Sequence, residues 1–243
     1  MSGSWARIAT VLLDAGNTLV SIDFDWLAAL LAPQGLEVTP EALARAEARA
    51  RPILSRRLAG AHVGGRLSTE SGATFAFYVE RILAGLSGVT EERAVRLAPR
   101  TARALKAEGN ARLWSRVLPG VRVGLEALAA LGVGLGVVSN SDGTIHETLR
   151  RAGLAASFQA IVDSAVVGFE KPDARIFAHA LEALGASAPT TLYVGDLYAV
   201  DVVGARAAGL DAALVDPFDD WTGADCPRVA DLPDLARRLR AQR

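Results

Sequence analysis

The stretch Ile8-Ala-Thr-Val-Leu-Leu-Asp14-Ala-Gly-Asn-Thr18-Leu decides the fold of this chain. Its first half, Ile8 to Leu13, is short, apolar and rich in β-branched residues, and it stops at a carboxylate. An apolar run of this length, bounded by polar and glycine residues, reads as a parallel strand buried on both faces. Runs of the same kind recur at Val133 to Val138, Ala160 to Val162, Thr191 to Val194 and Ala212 to Val215. Helical patterns separate them, over Val121 to Leu131, Thr144 to Arg151, Ala174 to Leu184, Ala199 to Ala208 and Leu232 to Arg240. Strand and helix in alternation predict an α/β protein built on a doubly wound parallel sheet.

The chain between the first two runs reads differently. From about Ser21 to Trp114 there is no strand run, only Ala/Leu/Arg/Glu helical patterns near Trp26 to Leu31, Pro40 to Leu58, Ser71 to Leu86 and Glu91 to Lys106. This predicts an all-helical insertion at residues 21–114 and a sheet domain made of residues 1–20 and 115–243. Gly60 and the pair Gly64-Gly65 are expected to act as joints inside the insertion. Trp26 and Trp114 bracket it and are expected to pack at the hinge.

Composition narrows the function classes. The 243 residues are 51% hydrophobic and 22% charged, which suits a soluble globular protein with a substantial core. A net charge of −1 supplies no field that favours nucleic acid or an anionic membrane. The single cysteine, Cys226, excludes an intrachain disulfide and fits a reducing compartment. No apolar run approaches the ~18 residues a membrane span needs, and the first residues lack a secretory cleavage pattern, so a cytoplasmic protein is expected. Of the 26 basic residues only Lys106 and Lys171 are lysine, so a lysine at a motif position carries information.

In an open parallel sheet, ligands bind beyond the carboxyl ends of the strands. Asp14, Ser139 and Asp196 each sit just past a strand run, and a Lys171-Pro172 pair follows another. Three polar groups at three strand ends, with a lysine, suit phosphoryl transfer. A carboxylate can attack phosphorus and split one hard step into two, while the charge on the equatorial oxygens needs cations and N–H donors. Asp14 with Asp196 can hold Mg²⁺, a hard cation that prefers oxygen ligands. Asp201, five residues further on, suits a contact to the metal or its water. Lys171 supplies a point charge beside the nucleophile. Thr18 and Ser139 offer hydroxyls, and backbone N–H groups at Asn140 and around Asn17 can bind anions.

These motifs, in this order, resemble the haloacid dehalogenase (HAD) superfamily of aspartate-nucleophile hydrolases, and the resemblance covers almost the whole chain. Asp14 matches the family nucleophile, Thr18 the motif-one threonine, Ser139 with Asn140 the second motif and Lys171 the third. Asp196 and Asp201, in Val-Gly-Asp-x-x-x-x-Asp-x-x-Gly-Ala, resemble the acidic fourth motif of the metal-dependent phosphatases. The helical insertion resembles the family's C1 cap, which closes over the site and selects the substrate. The resemblance implies a Mg²⁺-dependent phosphatase acting on a small phosphorylated metabolite, with Asp14, Thr18, Ser139 and Lys171 catalytic. It implies metal ligands at Asp14, Asp196, Asp201 and the Gly16 carbonyl, and phosphate contacts at Asn140 and Asn17. No nucleic-acid or membrane partner is implied, and the assembly is expected to be a monomer or homodimer.

One position departs from the pattern. Where phosphatase members carry a second aspartate, the general acid–base, this chain has Gly16. Loss of such a group typically costs about 10²- to 10⁴-fold in rate. The alternatives are a catalytically silent phosphate- or metal-binding protein, a carbon–halogen hydrolase, or a carbon–phosphorus hydrolase using a cap lysine. The spacing of Asp196 and Asp201 argues against dehalogenation. Lys106 reads as the solvated face of a helix, and Asp23 or Asp25 at the cap entrance is a substitute acid to be tested against the fold. Gly132-Val-Gly-Leu-Gly precedes and enters a strand, so it is not a dinucleotide fingerprint. His62, His146 and His179 are too scattered for a zinc site. Arg56 and Arg57 are expected to face solvent.

Overall fold

The computed structural model describes residues 5–61 and 68–243. His62, Gly64 and Gly65 lie outside the described residues. Strand β1 (Thr10–Leu13) is buried along its whole length, with parallel neighbours on both sides: β4 (Gly134–Ser139) and β6 (Thr191–Gly195). β5 (Ala160–Asp163) extends the sheet beyond β4, and β7 (Asp211–Val215) and β8 (Arg228–Val229) extend it beyond β6. The six-stranded order is β5-β4-β1-β6-β7-β8, with every pairing parallel. The chain winds outward from β1 on one side, then returns across it to build the other. The switch point, where a crevice opens, therefore lies at the end of β1.

Period-two alternation splits the strand side chains between two cores. Val11 and Leu13 join Leu135, Val137 and Val194 on one face, against α6 (Val121–Ala130), α7 (Ile145–Arg151) and α11 (Leu232–Ala241). Leu12 joins Val138, Tyr193 and Leu214 on the other, against α9 (Ala174–Leu184) and α10 (Val203–Ala207); the short α8 (Ser164–Val167) directly follows β5. Burial on both faces explains why these strands read as unbroken apolar runs.

The insertion folds into α1 (Phe24–Leu31), α2 (Pro40–Ala61), α3 (Gly72–Ala84), α4 (Glu91–Ala107) and the short α5 (Asn110–Leu113). This helical cap has its own apolar core, which includes Leu27, Leu43, Val79, Ile82 and Leu105 and takes in Val200 from beneath. Two strands too short to leave a pattern, β2 (Val20–Ser21) and β3 (Arg116–Val117), pair antiparallel where the chain enters and leaves the cap.

One expected helix differs at its start. Instead of a uniform helix from Ala199, the chain makes a wide π-helical turn over Tyr198–Val202 before α10 begins. Asp201 closes that turn on itself: its N–H donates to the Leu197 carbonyl at 2.7 Å, and its Oδ2 accepts from the Leu197 N–H at 2.8 Å. Such turns often re-aim a side chain at a functional site.

Candidate active site

In-register parallel pairing brings the strand ends level. Leu13 lies opposite both Val137 and Val194, and the Asp14 N–H donates to the Val194 carbonyl at 2.9 Å. Asp14, Ser139 and Asp196 therefore emerge along one edge of the sheet. Lys171 reaches into that edge and is almost completely buried. Its ammonium donates to Asp14 Oδ1 at 2.5 Å, to Asp201 Oδ1 at 2.8 Å and to the Tyr193 hydroxyl at 2.8 Å. The Tyr193 oxygen in turn lies 3.1 Å from both Asp201 Oδ1 and the Val138 carbonyl. Burial pushes the Asp14 carboxyl up to about 6, with Lys171 pulling the other way. Burial lowers the affinity of Lys171 for its proton, but Asp14 and Asp201 override it, so the ammonium holds its proton more tightly than an ordinary lysine.

Asp14, Asp196 and Asp201 form a buried group whose ligand atoms all lie within 4.8 Å of one another. The donor set is entirely carboxylate oxygen, the chemistry a hard divalent cation takes. Burial leaves Asp196 well above the ordinary carboxylate range; Arg51 opposes this and repulsion from Asp14 and Asp201 adds to it. A cation would relieve that repulsion, so the residues fit one. Asp201 is the most constrained of the three, with Oδ1 on Lys171 and Oδ2 on the Leu197 N–H.

A second buried network descends from the cap. Arg51 in α2 pairs with Glu47 one turn earlier, at 2.8 Å through Nε and 2.5 Å through Nη2, and its Nε lies 3.7 Å from Asp196 Oδ2. The Tyr78 hydroxyl in α3 donates to Glu47 at 2.5 Å and accepts from Asn17 Nδ2 at 3.0 Å. Asn17, which adopts φ 53°, also donates to Asp196 at 3.1 Å. Asn17 Oδ1, Thr18 Oγ1 and Arg51 Nη1 are buried with no hydrogen-bond partner among the described residues. Glu47, Arg51 and Tyr78 carry no motif signature; the available signal was a charged pair four residues apart on a helix otherwise buried on that side.

The loops after β4 and β5 are framed by side chains. Asn140 Oδ1 accepts from the Lys171 N–H at 2.7 Å, while its Nδ2 donates to the Lys171 carbonyl and to Thr69 Oγ1 at 3.0 Å each. Asp163, buried at the end of β5, accepts from the N–H groups of Gly143, Ile145 and Ala165.

Beside these networks lies a cavity of about 120 Å³, lined by Asp14, Gly16, Ser139 and Lys171 from below and by Glu70 and Lys106 from the cap. An apolar cavity of about 150 Å³ holds benzene, so the space suits a small molecule. Asn17, Asn140, Asp196 and Asp201 also line it; Thr18 does not. Both lysines of the chain line this cavity; Lys106, expected on a solvated helix face, keeps 31% of its side chain exposed and also borders the cavity. It sits 3.7 Å from Glu70 and 5.0 Å from the centre of the Phe75 ring. Asp23 and Asp25 are not substitute acids. Asp23 caps α1 by accepting from the Trp26 N–H at 3.0 Å and pairs with Arg112 at 2.5 Å, while Asp25 pairs with Arg116 at 2.9 Å; neither lines the cavity. Helix-start chemistry claims both. Arg56 and Arg57 are exposed, as expected.

Trp114 packs at the hinge as expected and bears on Gly16. A Cβ added at Gly16 would lie 3.5 to 3.8 Å from three atoms of the indole. The space a motif-one acid would reach into is bounded by that ring.

A family model described as haloacid dehalogenase-like hydrolase matches residues 8–209. The chain belongs to this family. Haloacid dehalogenase-like hydrolase domain-containing protein 3 of Bos taurus is 33% identical over 158 residues, 64% of this chain and 62% of that protein. The glyceraldehyde 3-phosphate phosphatase of Methanothermobacter thermautotrophicus is 40% identical over 102 residues, 41% of this chain and 45% of that enzyme. The match thus spans less than two thirds of the length of these curated relatives. Among solved structures, the magnesium-bound HAD-hydrolase YfnB of Bacillus subtilis has a TM-score of 0.62 at 23% identity, covering 96% of this chain and 99% of that one, a likeness of fold. Among the described residues no helix is long and apolar enough to cross a membrane.

Proposed function

We propose that this HAD-like hydrolase is a Mg²⁺-dependent phosphatase acting on a small phosphomonoester, with Asp14 as nucleophile. The observation that carries the reading is the buried constellation itself: Asp14 Oδ1 held 2.5 Å from Lys171, inside a group of three carboxylates whose ligand atoms lie within 4.8 Å. Core residues 1–20 and 115–243 supply the chemistry, and cap residues 21–114 enclose the substrate. Asp14 attacks phosphorus through one carboxylate oxygen. Lys171 keeps that carboxylate aimed and ionised and offsets charge on the phosphoryl oxygens. Ser139 and the N–H groups of the Asn17 and Asn140 loops donate to those oxygens. Asp14, Asp196, Asp201 and the Gly16 carbonyl would hold Mg²⁺, which supplies charge neutralisation between two anionic reactants. The net charge of −1 and the small cavity favour a soluble metabolite over nucleic acid or a membrane surface, acted on by a cytoplasmic monomer or homodimer.

The test is turnover of p-nitrophenyl phosphate and a panel of phosphorylated metabolites, with and without Mg²⁺, beside Asp14→Asn. Metal-dependent turnover that vanishes in the variant is the expected result. Equal turnover in the variant would end the assignment.

Lys106 lining the cavity favours one second reading, carbon–phosphorus bond hydrolysis through a lysine imine. Borohydride would then trap an aldehyde phosphonate on Lys106 and inactivate the protein; the phosphatase reading expects no such adduct.

A further inference from the structure

We propose that Glu70, carried into the cavity by the cap, protonates the leaving oxygen and then accepts the proton of the attacking water, in place of the carboxyl absent at Gly16. The proposal rests on the phosphatase reading above.

Its first support is elimination. The carboxylates lining the cavity among the described residues are Asp14, Asp196, Asp201 and Glu70. The first three form the nucleophile and cation cluster, so their oxygens are assigned to attack on phosphorus and to the cation. Tyr78 also lines the cavity, but its proton is committed to Glu47 at 2.5 Å. Glu70 is the remaining carboxyl.

Its second support is fixation against the core. Flanking residues tie the segment to the two loops that carry Ser139 and Lys171: Ser68 Oγ donates to Glu170 at 2.8 Å, and Thr69 Oγ1 accepts from Asn140 at 3.0 Å. The Glu70 N–H donates back to Ser68 Oγ at 3.1 Å. The cap residue is therefore positioned by the same loops that position the chemistry, as a proton-transfer group must be. Its Oε2 accepts from Asn110 Nδ2 at 3.4 Å and lies 3.7 Å from Lys106 Nζ.

Its third support is electrostatic. Burial raises the Glu70 carboxyl above the ordinary glutamate value; Lys106 opposes this, and repulsion from Asp142 and Glu170 reinforces it. A proton held more tightly is what a general acid working near neutral pH needs.

The steps balance. Asp14 Oδ bonds to phosphorus, the bond from phosphorus to the ester oxygen breaks with its electron pair on that oxygen, and the Glu70 proton converts it to the free alcohol. The Glu70 carboxylate then takes a proton from water as the water oxygen bonds to phosphorus. The bond from phosphorus to Asp14 breaks, and inorganic phosphate, Asp14 carboxylate and protonated Glu70 are restored.

The experiment compares Glu70→Gln with wild type on p-nitrophenyl phosphate, whose leaving group needs no proton, and on phosphoserine and glycerol 3-phosphate, whose leaving groups do. For the alkyl esters kcat should fall about 10²- to 10⁴-fold with KM within about threefold. For p-nitrophenyl phosphate the variant should release one equivalent of nitrophenolate in a burst and then stall, with the added phosphate found on Asp14 by mass spectrometry. An unchanged kcat, a loss confined to KM, or equal losses on both ester types with no burst would each overturn the role of Glu70 while leaving the phosphatase reading intact. Wild-type turnover no greater than that of Asp14→Asn would overturn both. A thermal melt within a few degrees of wild type guards against misfolding, and Glu70→Asp, which keeps the carboxyl, should recover part of the alkyl-ester rate.

Discussion

At the scale of single residues, two glycines border the site, and one of them admits no side chain. A Cβ at Gly195 would lie 2.4 Å from Cγ of Asp201. That approach lets the wide turn after β6 fold its carboxylate back onto Lys171. Gly195→Ala should therefore push Asp201 away, destabilise the fold by about 1–3 kcal/mol and weaken Mg²⁺ binding at least tenfold, measured by chemical unfolding and by calorimetric titration. Gly16 is the second position. Gly16→Asp restores the family's residue but places it against the Trp114 indole, whose nearest atom is 3.5 Å from the Cβ. We expect a lower melting temperature and no gain in kcat; a rise in kcat would mean that the ring yields. Asp14, Ser139, Lys171, Asp196 and Asp201 were legible because each follows an apolar run or sits in a spaced motif. Tyr193 was not, because a tyrosine inside such a run looks like core, and only the fold puts its hydroxyl on Lys171. Glu70 was hidden for the same kind of reason: nothing in Ser-Thr-Glu-Ser distinguishes a cavity carboxyl from a loop acid.

At the scale of elements, the cap helix α2 carries a charged stripe into the interior. Glu47 and Arg51 are almost fully buried, and Ser55 one turn on accepts from the Ala199 N–H at 2.9 Å. Burial opposes the charge on Arg51, but Glu47 and Asp196 outweigh it and keep the guanidinium protonated. Removing one member strips the other buried charge of its hydrogen-bonded partner. Glu47→Leu or Arg51→Met alone should cost about 3–5 kcal/mol, whereas the two together should cost far less than the sum. A double-mutant cycle by urea unfolding reads this directly, and additive losses would contradict it. Because Arg51 lies 3.7 Å from Asp196, the singles should also alter Mg²⁺ affinity. The helices themselves were legible from periodicity, including α9, whose expected bounds coincide with Ala174–Leu184. The hinge strands and β8 were not, since two residues cannot show a period.

At the scale of the whole molecule, two apolar layers on the sheet and a third core in the cap hold a small cavity at the switch point beside β1. The lone thiol reports on that packing. Cys226 is buried against the face that holds Tyr193, and burial pushes its thiol up to about 11. The reactive thiolate is thus scarce in the folded protein at pH 8, because its pKa lies above the working pH. A disulfide reagent should leave Cys226 unmodified under native conditions and label it in step with unfolding in denaturant. Fast labelling of the native protein would mean that this layer opens locally.

The sequence by itself determined the α/β class, the helical insertion, the family and which carboxylates lie at strand ends. Those properties follow from local periodicity and from motifs read along the chain. Tertiary structure alone decided that Trp114 bounds the space beside Gly16, that Arg51 reaches Asp196, and that Lys106 and Glu70 share a cavity with Asp14. These are contacts between segments far apart in the chain, set by how the cap seats on the sheet, and no local pattern encodes a distance across that interface.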